Sequence, residues 1–179
     1  LMRAGIAQVA AEKGFHVTMV DVNDAALDNG RNIILASLAR IARKKHPENA
    51  EAQKKLIEDV LSRVATSTDA VSAVSQADLV IEPIVENLAT KQKLFAQLDE
   101  AAPKKTIFTS NTSSLPITKI ANATKRLDRF GGLHFFNPVP QMKLVEVSRT
   151  NETSDAVFGD LLEFSRRLGK APVSCKDTH

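Results

Sequence analysis

The chain has 179 residues, 43% of them hydrophobic and 25% charged, with a formal net charge of +3. That length holds one domain with a real core and falls short of two ordinary ones, and the composition is that of a globular protein. The mild charge argues against nucleic-acid binding, no window approaches the roughly 18 apolar residues of a membrane span, and the lone Cys175 excludes a disulfide framework or a multi-cysteine metal site, so no metal is expected.

Residues 1–13 carry apolar side chains at 2, 6, 9 and 10, close to helical spacing, and Gly14 supplies a stop. HVTMVDV follows as a buried strand closing at Asp21. Asn23 or Asp24 caps a long helix to about Lys45, with Leu27, Ile34, Leu35, Leu38 and Ile41 in one stripe. His46-Pro47 ends it, because a residue before proline avoids the helical region. A second amphipathic helix over 51–64 makes a helical hairpin projecting from a sheet. ATSTD is a short strand or turn, and 69–76 a short helix.

ADLVIEPIVE contains a buried strand at 79–81. Residues 88–102 are helical, with Leu94, Phe95 and Leu98 inward, and Pro103 ends them. TIFTSN is a strand running into SNTSS, and 117–121 a short helix. RFGGLHFFNP and KLVEVSR are strands joined by a proline-rich turn. A helix over 154–168 stops at Gly169, and APVSC is the last strand. Helices alternating with apolar strands predict a doubly wound, mostly parallel α/β sheet with covered faces. The opening LMRAGIAQVAA has no strand or cap before it, and the chain stops at CKDTH just after an apolar run. The expectation is a fragment of a longer protein, lacking a first strand.

Such a sheet binds dinucleotides where its first helix begins, with helix N–H groups facing the pyrophosphate. An acidic residue ending the second strand then accepts bonds from the adenosine ribose. Asp21, 18 positions after Arg3, stands near the required offset of about 20. Its charge also repels a 2′-phosphate, favouring NAD over NADP. A strand-end turn residue is the plain alternative.

GLHFFNPVPQMKLVEV, residues 132–147, poses a second question: why do His134, Asn137 and Glu146 interrupt an apolar run? Oxidising an alcohol needs a base, and histidine titrates in the right range once a carboxylate orients its other nitrogen. A turn at 138–140 would fold His134 and Glu146 beside each other. A satisfied core histidine and a solvent-facing glutamate are the alternative. SNTSS lies past a strand end, where α/β sites collect donors, or is a simple turn. Glu82, Glu86 and Lys91 follow another strand end, and ARKKH is a solvated helix end or meets an anion.

In order, LMRAGIAQVAA, VDVN, DLVIEPIVENLATKQKLFAQLD, TIFTSNTSSLPIT, RFGGLHFFNPVPQMKLVEV and LGKAPVSCKD cover nearly the whole chain. Together they resemble the Rossmann-type, NAD-binding domain of 3-hydroxyacyl-CoA dehydrogenase, short-chain mitochondrial type. The resemblance implies residues 1–176 as that domain, truncated at its start, and 177–179 as the beginning of a linker to a helical domain. His134 would be the base and Glu146 its orienting partner. Asp21 would hold the ribose, and Glu86, Lys91, Ser113 and Asn137 would contact NAD. Ser113 would also meet the substrate, while Ser37 and Lys44 would touch coenzyme A. The implied reaction is NAD-dependent oxidation of L-3-hydroxyacyl-CoA to 3-ketoacyl-CoA in fatty acid β-oxidation. It would run in the mitochondrial matrix on an acyl-CoA substrate, with a homodimer for the full-length protein.

The chain departs from the family pattern at Arg3 and Pro83, and at His179, where the family continues with proline into a helical domain. Arg3 stands at the third glycine of GxGLMGAGIAQ, where its side chain is expected to crowd the pyrophosphate loop or reach a phosphate. Pro83 stands where the family has alanine, and removes a backbone donor. The fragment alone is expected to be inactive. A non-catalytic nucleotide-binding remnant and a domain of a multifunctional β-oxidation protein are the alternatives.

Overall fold

The computed structural model describes residues 1–177. Thr178 and His179, part of the expected linker, lie outside them. The chain forms two compact units, one of Leu1–Asp69 with Asn137–Gln141, the other of Ala70–Phe136 with the residues from Met142 on. Helices alternate with strands in a Rossmann-type α/β order, and the strands form two sheets where the sequence suggests one.

The first unit contains α1 (Met2–Glu12), β1 (Val17–Val20), α2 (Asp24–Lys45), α3 (Ala50–Leu61) and β2 (Val64–Ser67). Gly14 turns the chain out of α1 at φ 93°, a conformation that costs glycine little. β1 and β2 pair in parallel, from Val17 opposite Val64 to Val20 opposite Ser67. That pairing claims Val64 as a strand residue, so α3 ends at Leu61, short of the helix predicted over 51–64. Asn23 starts α2 by accepting the backbone N–H bonds of Ala25 and Ala26. From the predicted stripe, Leu27, Ile34 and Leu38 join Ala4, Ala7, Ala11, Met19 and Val60 in one core. Leu35 turns outward and is 43% exposed, because the stripe is centred on Ile34 and Leu38 instead. α2 and α3 pack as the expected hairpin.

The second unit contains α4 (Ala70–Val74), β3 (Leu79–Glu82), α5 (Leu88–Ala101), β4 (Ile107–Ser110), α6 (Ile117–Ala121), β5 (Phe130–Phe135), β6 (Leu144–Arg149), α7 (Asp155–Arg167) and β7 (Ala171–Lys176). Its sheet runs β3-β4-β5-β6-β7, parallel throughout except for the antiparallel pair β5–β6. All four residues of β4 are buried, as expected of a strand covered on both faces. Phe95 of α5, Phe108 of β4 and Phe130 of β5 form an aromatic centre, with Phe95 4.8 Å from Phe130 and 5.5 Å from Phe108 between centroids. On β5, a Cβ at Gly132 would come within 3.0 Å of both Ile117 and Ser148, so glycine lets α6 and β6 approach the strand. Among the described residues no helix is long and apolar enough to cross a membrane.

Candidate active site

The chemistry of the second unit begins at the β5–β6 pair. In the antiparallel register His134 lies directly opposite Glu146, so both side chains leave the sheet on the same face. His134 Nδ1 is 3.3 Å from Glu146 Oε2. The imidazole also lies 4.4 Å from the ring of Phe136, centroid to centroid, which restricts its rotation. With Nδ1–H donating to the carboxylate, the neutral ring keeps its lone pair on Nε2, free to accept a proton. The sequence-level expectation that these two groups come together is met by the register.

Both groups line a cavity of about 150 Å³ with Thr112, Ser113, Ser114, Gly132, Ser148, Lys176 and Asp177 among its walls. Ser113, a predicted site residue, is exposed to it. The rest of SNTSS is both turn and donor cluster. Thr112 Oγ1 accepts the N–H bonds of Ser114 and Leu115, closing the turn, while its hydroxyl donates to Glu86 at 2.7 Å. The Ser114 hydroxyl donates to the same Glu86 oxygen at 3.1 Å. Asn111 Oδ1 accepts the N–H of Phe135 at 2.7 Å and ties the end of β4 to that of β5.

Lys91 is placed differently from a residue that meets a ligand directly. It is fully buried, and its Nζ donates to Glu82 at 2.6 Å and to the Ile84 carbonyl at 3.2 Å. Glu86 lies 3.6 Å from the same ammonium and is 41% exposed. Glu82 also receives the Ser110 hydroxyl and the Ile84 N–H, both at 2.7 Å. Burial pushes the Glu82 carboxyl above its ordinary range, and the bonds from Lys91, Ser110 and Ile84 pull it back. Pro83 sits inside this knot, where Ile84 supplies the loop's backbone donor. The sequence points to Glu82, Glu86 and Lys91 as a group past a strand end but not to their pairing, which the parallel register of β3 on β4 sets by placing Glu82 beside Ser110. Ser148, Lys176 and Asp177 do not stand out in it.

In the first unit, Asp21 follows β1 as predicted. Its Oδ1 accepts the Asn23 N–H at 3.0 Å, and its Oδ2 accepts from the Arg3 guanidinium. Burial works to raise its pKa, but the bonds from Asn23, Arg3 and Val22 prevail and hold it below the ordinary value. Arg3 thus folds onto the ribose candidate. Asn137 belongs to this unit and is exposed. Ser37 is buried, accepting from the Gln8 amide at 2.9 Å, and Lys44 is exposed in the last turn of α2. An acid at the end of β1 fits a dinucleotide's ribose.

A Rossmann-type chain bearing a histidine–carboxylate pair and a ribose-type acid falls in the class of nicotinamide-dependent oxidoreductase domains. Residues 1–178 match the family described as "3-hydroxyacyl-CoA dehydrogenase, NAD binding domain", and the chain belongs to that family, whose cofactor is NAD. It is 57% identical over 178 residues to the mitochondrial hydroxyacyl-coenzyme A dehydrogenase of Homo sapiens, covering 99% of this chain and 57% of that protein. To a probable 3-hydroxybutyryl-CoA dehydrogenase of Bacillus subtilis it is 44% identical, covering 98% of this chain and 59% of the relative. The crystal structure of (S)-3-hydroxybutyryl-CoA dehydrogenase from Ralstonia eutropha superposes with a TM-score of 0.90 at 41% identity, over 99% of this chain and 60% of that one. The chain therefore spans somewhat more than half the length of these relatives.

Proposed function

We propose that the protein carrying this chain oxidises L-3-hydroxyacyl-CoA to 3-ketoacyl-CoA with NAD, as a step of fatty acid β-oxidation, and that residues 1–176 are its NAD-binding domain. The observation that carries this reading is the 3.3 Å approach of His134 Nδ1 to Glu146 Oε2 beside the serine-rich cavity. NAD, when bound, supplies the hydride acceptor. His134 takes the substrate hydroxyl proton at Nε2, and Glu146 holds the ring in that tautomer and stabilises the imidazolium that forms. Ser113 offers a hydroxyl to the substrate and to the nicotinamide end of the cofactor, and Asn137 an amide to the cofactor. Glu86 meets the cofactor with Lys91 behind it, holding its carboxylate through the buried ammonium. Asp21 accepts the adenosine ribose hydroxyls. Lys44 pairs with a phosphate of coenzyme A, and Ser37 serves the same ligand if it exchanges its bond from Gln8.

A homodimer and a mitochondrial matrix location belong to the same proposal. The likeness to relatives named mitochondrial supports the location. The test is a coupled measurement on the gene product that contains this chain. NADH should bind, and 3-hydroxybutyryl-CoA should drive NAD reduction followed at the nicotinamide absorbance. Binding of neither cofactor nor substrate would overturn the assignment.

A further inference from the structure

An acid at the end of β1 discriminates against NADP in two ways. Its oxygens accept ribose hydroxyls, and its negative charge repels a 2′-phosphate. The second depends on an unpaired charge. In this chain both oxygens of Asp21 already accept a bond, Oδ1 from the Asn23 N–H and Oδ2 from the Arg3 guanidinium; each oxygen keeps a further lone pair, but the charge has a partner. The pair sums to zero charge where a lone aspartate would carry minus one. Arg3 itself is part exposed, with 33% of its side chain accessible, and a guanidinium has five donors in a planar fork. Its contact to Asp21 runs through Nη1 alone, so other N–H groups remain for a second anion. A planar cation beside the ribose acid is the chemistry that accommodates a 2′-phosphate.

We propose that Arg3 is a specificity-determining residue that makes this domain accept NADP(H) about as readily as NAD(H), by neutralising Asp21 and offering its guanidinium to the 2′-phosphate. This rests on Asp21 as the ribose acid. With the 2′-phosphate present, the guanidinium bridges Asp21 and the phosphate. With NAD(H), the ribose hydroxyls compete with Arg3 for Oδ2, so NAD(H) binds less tightly than a lone aspartate would allow.

The experiment is equilibrium titration of the 179-residue chain with NADH and, separately, NADPH, read by reduced-nicotinamide fluorescence. The chain has no Trp or Tyr to interfere. Wild type is compared with Arg3→Gly, Arg3→Gln and Asp21→Ala. Glutamine has nearly the helix propensity of arginine, so Arg3→Gln removes the charge with least disturbance of α1, which circular dichroism checks. The expected wild-type dissociation constants differ by less than about tenfold, and each Arg3 variant weakens NADPH by about 10–100-fold, the worth of one charge-assisted hydrogen bond. NADH is expected to bind those variants as well or better. A wild type that strongly prefers NADH, with that preference unchanged in both Arg3 variants, overturns the proposal. If Asp21→Ala still loses NADH affinity in that case, the ribose role stands and only the proposal falls. NADH binding to Arg3→Gly but no nucleotide binding to wild type would make the ion pair a lock, which also overturns it. Failure of both nucleotides with every folded variant removes the ribose role and the proposal together.

Discussion

His134 Nδ1 and Glu146 Oε2 stand 3.3 Å apart, and in the proposed mechanism that contact leaves Nε2 as the base. Replacing His134 by alanine should lower turnover by about 10²–10⁴-fold, the usual cost of losing a positioned base. NADH affinity should hardly change, since the imidazole serves the substrate hydroxyl. Steady-state kinetics beside fluorescence titration checks this, and an unaffected kcat would remove His134 from the base role. Asp21 makes a different prediction, on stability. Its folded-state pKa lies below the unfolded value near 3.8, so its bonds stabilise the fold above that pH. As pH falls through the depressed folded value, the carboxylate takes up a proton and this contribution is lost. In denaturant titrations, wild type should therefore exceed Asp21→Asn in stability at neutral pH, with the gap narrowing below about pH 4. A gap independent of pH would mean that the Arg3 and Asn23 bonds do not favour the ionised form.

At the scale of elements, the end of β3 is joined to β4 and α5 through charge. Lys91 donates to Glu82, and Glu82 accepts from Ser110, all of it buried. Removing Lys91 leaves the Glu82 carboxylate in the interior without its counter-charge. Lys91→Met should cost about 3–5 kcal/mol, the range for breaking a buried pair, while Glu82→Leu with Lys91→Met should recover much of that loss. Urea unfolding of the two single variants and the double would show it, and additive losses would mean the pair is not coupled. The same region shows what sequence can and cannot reveal. β3, α5 and β4 were legible because apolar runs and Pro103 mark them, and Phe95 and Leu98 fall on the buried face as their spacing suggests. Lys91 was not legible as a core residue, because a lysine on a polar-looking helix start reads as solvated until a glutamate nine positions back meets it. Arg126 is similar. Its guanidinium donates to Asp99 and to the carbonyls of Pro103 and Thr106, and lies 4.3 Å from the centre of the Phe108 ring, through contacts 18 or more residues away in sequence. The residues alone leave the His134–Glu146 pair open between a turn that brings the two together and a plain core histidine, and the family resemblance favours the pair. The register sets the two opposite each other, whereas Arg3 on Asp21 needed the packing of α1 against β1.

For the molecule as a whole, the His134–Glu146 pair belongs to one compact unit and Asp21, proposed for the ribose, to the other. A nucleotide that binds only the native chain stabilises it by mass action, by about 2.7 kcal/mol when the ligand stands at 100 times its Kd. For a chain of this length, each kcal/mol moves the midpoint of thermal unfolding by about 2–4 °C, so saturating nucleotide should raise Tm by about 5–10 °C. Scanning calorimetry suits the measurement, because the chain has neither Trp nor Tyr to report unfolding by fluorescence. With His134 proposed to serve the substrate, His134→Ala should keep the full shift. With Asp21 proposed to serve the ribose, Asp21→Ala should lose most of the NADH shift. Arg3→Gly should keep or enlarge the NADH shift while shrinking the NADPH shift. The same variants thereby separate chemistry from binding without any turnover assay. Equal shifts for NADH in wild type and Asp21→Ala would place the nucleotide away from the end of β1.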